Sequence, residues 1–156
     1  MIKLVRVDHR LLHGQVAFSW MNSIGGDCIL IASDEVVKDE IWKTTLKLGK
    51  PSGVKLVIKN IENSIKALNS GVTDKYKLLI VVQTIKDVAR LVEGCPQITT
   101  VNLGGVKDTE GARQISKAVF VTKEDEEILK NLIGKGIEVE IRQIASEKKI
   151  DARSVL

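Results

Sequence analysis

The chain has 156 residues, 44% of them apolar, 28% charged and only 3% aromatic, with a formal net charge of +4. That size and apolar share suit one domain, residues 1–156, with its own core, and no run approaches the ~20 consecutive apolar residues a membrane span needs. The basic excess is spread over the predicted helices instead of gathered in one block, and Tyr76 is the sole tyrosine, so there is no stacking platform and nucleic acid is not an expected partner.

The opening lacks an apolar h-region with a small-residue cleavage site, which places the protein in the cytoplasm as an expectation. Cys28 sits inside an apolar run and Cys95 in a Gly-Cys-Pro turn. Neither belongs to a motif, so both read as reduced, structural thiols.

Short β-branched runs alternate with helix-period segments almost from end to end. The predicted strands cover 2–7, 28–32, 54–58, 78–82, 99–103, 118–121 and 137–141. Between the first two strands Val16, Ala17, Trp20, Met21 and Ile24 form one apolar stripe. Later segments repeat the pattern with Ile61, Ile65 and Leu68, then Ile85, Val88, Ala89 and Val92, then Ile128, Leu129, Leu132 and Ile133. Thr84 with Asp87, and Thr122 with Asp125, have the spacing of capping boxes. Gly71, Gly94 and Gly134 or Gly136 supply stop signals.

Runs such as LLIVV at 78–82 are apolar on both faces and must be covered on both sides, which argues for a parallel sheet between helical layers. The predicted class is α/β, an open sheet with helices on both faces. Ligands of such sheets settle beyond the carboxyl ends of the strands, where connections leave toward opposite faces. That rule selects residues 8–14, 33–35, 83–84 and 102–109.

The first of these loops holds both histidines of the chain, in VRVDHRLLHGQVAFSW at 5–20. Neutral imidazole is a nucleophile near neutral pH, because its ordinary pKa is about 6.5. A ring nitrogen of His13 can attack phosphorus to give a labile phosphoramidate. Phosphoryl transfer asks the protein for positioning and for positive charge on the equatorial oxygens, and Arg10, three residues earlier, offers a planar fork. Backbone N–H groups at the start of a helix near Gly14 would add an anion site. Asp8 is placed to hold Arg10 or to orient the imidazole.

The same residues allow plainer readings. His13 can be an ordinary loop histidine, and Arg10 can simply pair with Asp8. His9 and His13 share the four-residue spacing of helical metal ligands, but no acid neighbours them in the HExxH manner and an arginine lies between, so no metal is expected. The Gly104-Gly105 pair after VNL can cradle an anion or merely turn the chain. No phosphate loop, dinucleotide fingerprint or nucleophile elbow is present, and no cofactor is expected.

VRVDHRLLHGQV resembles the opening of the IIB components of the mannose/sorbose class of the bacterial phosphoenolpyruvate-dependent sugar phosphotransferase system (PTS). The likeness extends through LLIVVQTIKDVARLVEG at 78–94, VNLGG at 101–105, EGARQISKAVFVT at 110–122 and IRQIASEKKID at 141–151. The resemblance implies a mostly parallel seven-stranded sheet and a phosphohistidine-sugar phosphotransferase. In it His13 carries the phosphate on Nδ1, Arg10 stands beside it, and Asp8, Gly14 and Arg6 complete the motif.

It further implies a IIA component as phosphoryl donor, membrane IIC and IID subunits as partners, and a hexose or related sugar as acceptor, with the chain held peripherally at the transporter. His9 departs from the family, which often has an acidic or small polar residue there, and no phosphate ligand is carried onto Lys107 or Thr109. Leu11 and Leu12 are candidate contacts for the donor protein, or else pack on the sheet. A phosphorylation-dependent regulatory module is the alternative function.

Overall fold

The computed structural model describes residues 1–156. Strands and helices follow in the order β1 (Ile2–Asp8), α1 (Gly14–Ile24), β2 (Cys28–Ala32), α2 (Glu40–Leu48), β3 (Lys55–Lys59), α3 (Ile61–Ser70) and β4 (Leu78–Val82). Then come α4 (Ile85–Gly94), β5 (Thr100–Gly105), β6 (Arg113–Ser116), β7 (Val119–Val121), α5 (Lys123–Gly134), β8 (Glu138–Ile141) and β9 (Ile150–Asp151).

Seven strands share one sheet in the order β3-β2-β4-β1-β5-β8-β9, and β6 pairs with β7 in a separate two-stranded sheet. All pairings of the large sheet are parallel except that of β8 with β9. The expected class and strand count therefore hold, with one exchange of membership. The predicted strand at 118–121 forms β7, outside the main sheet, and the seventh place is taken by β9, a two-residue exposed strand.

Period-two alternation between two covered faces explains why β2 and β4 are apolar throughout. Cys28, Leu30, Ala32, Leu78, Ile80 and Val82 face one layer together with Val5 and Val7, where α3, α4 and α5 supply Ile61, Leu68, Val88, Leu91, Leu129 and Leu132. Ile29, Ile31, Leu79 and Val81 face the other layer, against Ala17 and Met21 of α1 and Leu46 of α2. Each such aliphatic side chain contributes about 1.5–3 kcal/mol on burial. Both cysteines are buried and free.

The helix ends follow from the residues. Thr122 and Asp125 exchange both hydrogen bonds of a capping box, whereas Thr84 accepts from the Asp87 N–H as only the first half of one. Gly71 stops α3 in a left-handed conformation. Gly94 and Gly134 are instead the last residues of α4 and α5. Helix α1 ends at a glycine not anticipated from the spacing: Gly25 is left-handed, and the Gly26 N–H closes back on the Met21 carbonyl at 3.0 Å.

This topology sets the site. β1 lies between β4 and β5. The chain leaves β1 through α1 on one face, while β4 reaches β5 through α4 on the other, so the connections diverge beyond the carboxyl end of β1 and leave a crevice there.

Candidate functional site beyond the carboxyl end of β1

Asp8, the last residue of β1, is fully buried and is the hub of the site. Its Oδ2 accepts from Nε2 of His13 at 2.8 Å and from a terminal nitrogen of Arg6 at 3.1 Å. Its Oδ1 accepts the Arg10 backbone N–H at 3.0 Å. Burial pushes the Asp8 carboxyl up, but the His13 hydrogen bond, the Arg6 charge and the Arg10 N–H together outweigh it and hold the group below the usual carboxylate range.

The loop between Asp8 and His13 is tightly bent. The Leu11 N–H bonds back to the Asp8 carbonyl at 2.9 Å, and Leu11 takes φ +60°, the one non-glycine residue of the chain in that region. Its side chain offsets this strain by entering the core beside Ile29 and Ile31, and Leu12 is buried with it. Neither leucine is available to a docking protein, so the donor-contact reading of Leu11 and Leu12 is replaced by the packing one. On α1 the exposed large apolar residue is Phe18, 51% accessible.

His13 stands at the N-cap of α1 and makes no capping bond with its side chain. The ring is 22% exposed. Since Asp8 is an acceptor, Nε2 of a neutral His13 carries the hydrogen and Nδ1 keeps its lone pair. Gly14 follows at φ +47° with open space around it, so the backbone turns into α1 without crowding the ring. Arg10 reaches out beside it, its side chain 48% exposed and its Nε 3.9 Å from Asp8.

Arg6 differs from Arg10 in being buried. One terminal nitrogen donates to Asn102 Oδ1 at 2.8 Å and to the Arg142 carbonyl at 3.1 Å. The other donates to Asp8 and to the Gln143 carbonyl at 2.8 Å. All four terminal hydrogens are thus directed at protein acceptors, which leaves Arg6 to hold the loop. Burial pulls this guanidinium down from its ordinary value, with the Asp8 charge opposing.

The Gly104-Gly105 pair does not turn the chain. Both residues belong to β5, and a Cβ on Gly104 would lie 2.0 Å from the Arg6 guanidinium carbon. The glycine is the space through which Arg6 passes. Gly104→Ala is expected to destabilise the fold by about 1–3 kcal/mol through overpacking against a pinned side chain. Gly105→Ala, whose Cβ would meet Asp8 Oδ1 at 3.1 Å, should cost much less. Denaturant midpoints of the two variants check this; equal midpoints would show that Arg6 is free to move.

His9 bonds Gly105 through its backbone N–H at 3.0 Å, and its Nδ1 is buried with no hydrogen-bond partner. Nothing orders its tautomer as Asp8 orders that of His13. Asn102, expected in a ligand-facing loop, lies in β5 and is fully buried. Trp20 and Arg142 complete the surroundings of Arg6, and neither role was legible in the sequence, because the bonds that join them to β1 and α1 cross more than a hundred residues.

A model of the PTS system sorbose subfamily IIB component matches residues 2–156. The chain is 36% identical over 149 residues to the PTS system mannose-specific EIIAB component of Escherichia coli (strain K12), covering 96% of this chain and 46% of that protein. It thus spans about half the length of that relative. It is 32% identical to the PTS system fructose-specific EIIB component of Bacillus subtilis (strain 168), covering 99% and 95% of the two chains.

In three dimensions it superposes on the crystal structure of the IIBSor domain of the sorbose permease from Klebsiella pneumoniae with a TM-score of 0.93. That match has 28% identity and covers 99% and 94% of the chains. A mostly parallel seven-stranded sheet, an aspartate-held histidine at its switch point and likeness along the whole chain agree: the chain belongs to the sorbose subfamily of PTS IIB components.

Proposed function

We propose that this chain is a sugar-transport phosphotransferase subunit, one IIB domain over residues 1–156, that carries a phosphoryl group on Nδ1 of His13. The observation that supports it most is the Asp8–His13 hydrogen bond of 2.8 Å, because it ties up one ring nitrogen of a partly exposed imidazole and leaves the other with its lone pair as a nucleophile.

In the loading step the Nδ1 lone pair of His13 forms a bond to phosphorus. The P–N bond of a phosphohistidine on the IIA donor breaks, and its electron pair returns to the donor ring. The new phosphoimidazole carries its proton on Nε2, where the Asp8 carboxylate stabilises the positive ring. In the unloading step a sugar hydroxyl oxygen attacks phosphorus, the P–Nδ1 bond breaks, and its pair returns to His13 while the hydroxyl proton passes to solvent or a base.

Arg10 is the residue whose exposed guanidinium can swing onto the equatorial oxygens, and the first N–H groups of α1, whose N-cap is His13, add a second source of positive potential. Asp8 orients the ring, Gly14 keeps the approach open, and Arg6 serves the loop from beneath. No cofactor enters either step.

The partners are a IIA component, membrane IIC and IID subunits and a sugar, with the chain in the cytoplasm and docked peripherally on the transporter. No helix of the chain is long and apolar enough to cross a membrane, in keeping with that place. The relatives bear mannose, fructose and sorbose in their names at comparable identity, so the acceptor is a hexose or related sugar.

The test is reconstitution. With phosphoenolpyruvate, the general PTS proteins and IIA, wild-type chain should acquire acid-labile, alkali-stable phosphate, and vesicles holding IIC and IID should phosphorylate sugar only when the chain is added. Sugar phosphate formed equally well without it would refute the proposal. Arg10→Lys keeps the charge but loses the fork, and should slow transfer about tenfold or more with an unchanged thermal midpoint. Wild-type rates in that variant would remove Arg10 from the mechanism.

A further inference from the structure

Arg6 is held by residues that the proposed transfer does not itself use. Trp20 of α1 is buried and lies beneath two cations, with the Arg6 guanidinium carbon 5.4 Å and that of Arg142 4.9 Å from its ring centre. Its Nε1–H donates to the Gln143 carbonyl at 3.1 Å, the same oxygen that accepts from Arg6.

Arg142 is paired in turn with Glu140 of β8: its Nε lies 3.1 Å from one carboxylate oxygen as an ion pair without hydrogen-bond geometry, and a terminal nitrogen donates to the other oxygen at 3.5 Å. Asn102 closes the group, its Oδ1 accepting from Arg6 and its Nδ2 donating to the Arg142 carbonyl at 3.2 Å. A continuous set of contacts runs from Glu140 through Arg142, Trp20, Arg6 and Asp8 to His13.

A free arginine has many rotamers, and an ion pair with Asp8 alone would leave the carboxylate able to follow it. Here two oxygens fix each terminal nitrogen and an indole lies against the plane, so the position of the Arg6 hydrogen that meets Asp8 is set. Asp8 Oδ2 accepts from both Arg6 and His13, so both of its lone pairs are committed. Where Arg6 sits therefore decides where the second lone pair points.

We propose that Trp20, Asn102 and Arg142 are positioning residues for the His13 reaction: they lock Arg6, Arg6 locks Asp8, and Asp8 selects the tautomer with the lone pair on Nδ1. The inference rests on the reading of His13 as the phosphoryl carrier, and it extends the site across β5 to β8. None of the three touches the reacting atoms.

The test reads the tautomer directly. In the full chain labelled with 15N, long-range proton–nitrogen correlations at about pH 8.5, well above the ordinary imidazole pKa, report the ratio of Nε2–H to Nδ1–H forms of His13. The wild type should be dominated by the Nε2–H form. Arg142→Met and Trp20→Leu should lower that ratio by about fivefold or more, with the maximal rate of phosphoryl uptake falling only in proportion to the smaller Nε2–H fraction and little change in the KM for the donor protein.

Arg142→Lys keeps a cation over the indole and should restore most of the ratio. Should Trp20→Leu fail to fold, Arg142→Met decides alone, since that side chain is 24% exposed. An unchanged ratio in folded Arg142→Met, or a lysine variant no better than methionine, would overturn the inference. The ratio is read without phosphate or partner. A shifted ratio with no phosphate on His13 would therefore sink the proposed function alone, and normal phosphorylation with an unshifted ratio would sink this inference alone.

Discussion

Replacing His13 with alanine is expected to reduce phosphoryl uptake from phosphorylated IIA to the level seen with no chain present. The ring is a covalent carrier in this account, so no other group can hold the phosphate in its place. The side chain is partly exposed and, apart from its bond to Asp8, is not tied into the core, so the variant should keep the wild-type circular dichroism and lose only the contribution of that one hydrogen bond from its thermal midpoint. His9→Ala is the internal control. Its Nδ1 makes no hydrogen bond and the ring has no carboxylate to order it, so that variant should still take up phosphate. Label retained in folded His13→Ala and lost in His9→Ala would transfer the role to the other histidine.

Asp8→Asn is expected to have the second-largest effect, on both stability and rate. The carboxylate accepts from three donors through two oxygens, and an asparagine has one oxygen to offer. Turned one way, its NH2 faces the Arg10 N–H. Turned the other, it faces Arg6 and His13 and favours the imidazole form with hydrogen on Nδ1, which is not a nucleophile there. Either way Arg6 is left buried without its counter-charge.

Removing one partner of a buried ion pair costs about 3–5 kcal/mol, a large part of the ordinary stability of a domain. Loss of the ordered tautomer should slow phosphoryl uptake about 10²–10⁴-fold. Urea unfolding and initial uptake rates check the two arms, and a variant within experimental error of wild type in both would remove Asp8 from the centre of the site.

The same carboxylate fixes the sign of one pH effect. Its pKa is depressed in the folded chain, so its stabilising contribution is present above the unfolded value of about 3.9 and is lost as pH falls through the folded value. Wild-type stability should decline in that acid range more steeply than that of Asp8→Asn.

The parts legible in the sequence were those with strong periodicity or local chemistry. β2 and β4 are continuous apolar runs with one possible environment, β1 is a β-branched run broken by Lys3 and Arg6, and α1 has a full stripe ahead of Gly25. The loop from Asp8 to Gly14 was legible because its residues act on one another over five positions. β9 was not: Ile150 and Asp151 are both exposed and too few to show alternation.

Ala118–Val121 was legible as a strand but not in its partnership, since an antiparallel pairing with the polar residues of β6 carries no hydrophobic signal of its own. Leu11 and Leu12 could be read either as surface or as core until the positive φ at Leu11 turned both inward. The support of Arg6 was invisible for a different reason. Asn102, Arg142 and Gln143 meet it across separations of up to 137 residues, and the need for glycine at position 104 appears only once that side chain has been placed.

Nitrogen-15 labelling of the histidines, combined with phosphorus NMR of the phosphorylated chain, tests the central claim most directly, because one-bond coupling identifies the nitrogen that carries the phosphate. The account predicts coupling to Nδ1 of His13, with the hydrogen on Nε2 still bonded to Asp8. Coupling to Nε2 of His13, or to either nitrogen of His9, would contradict it.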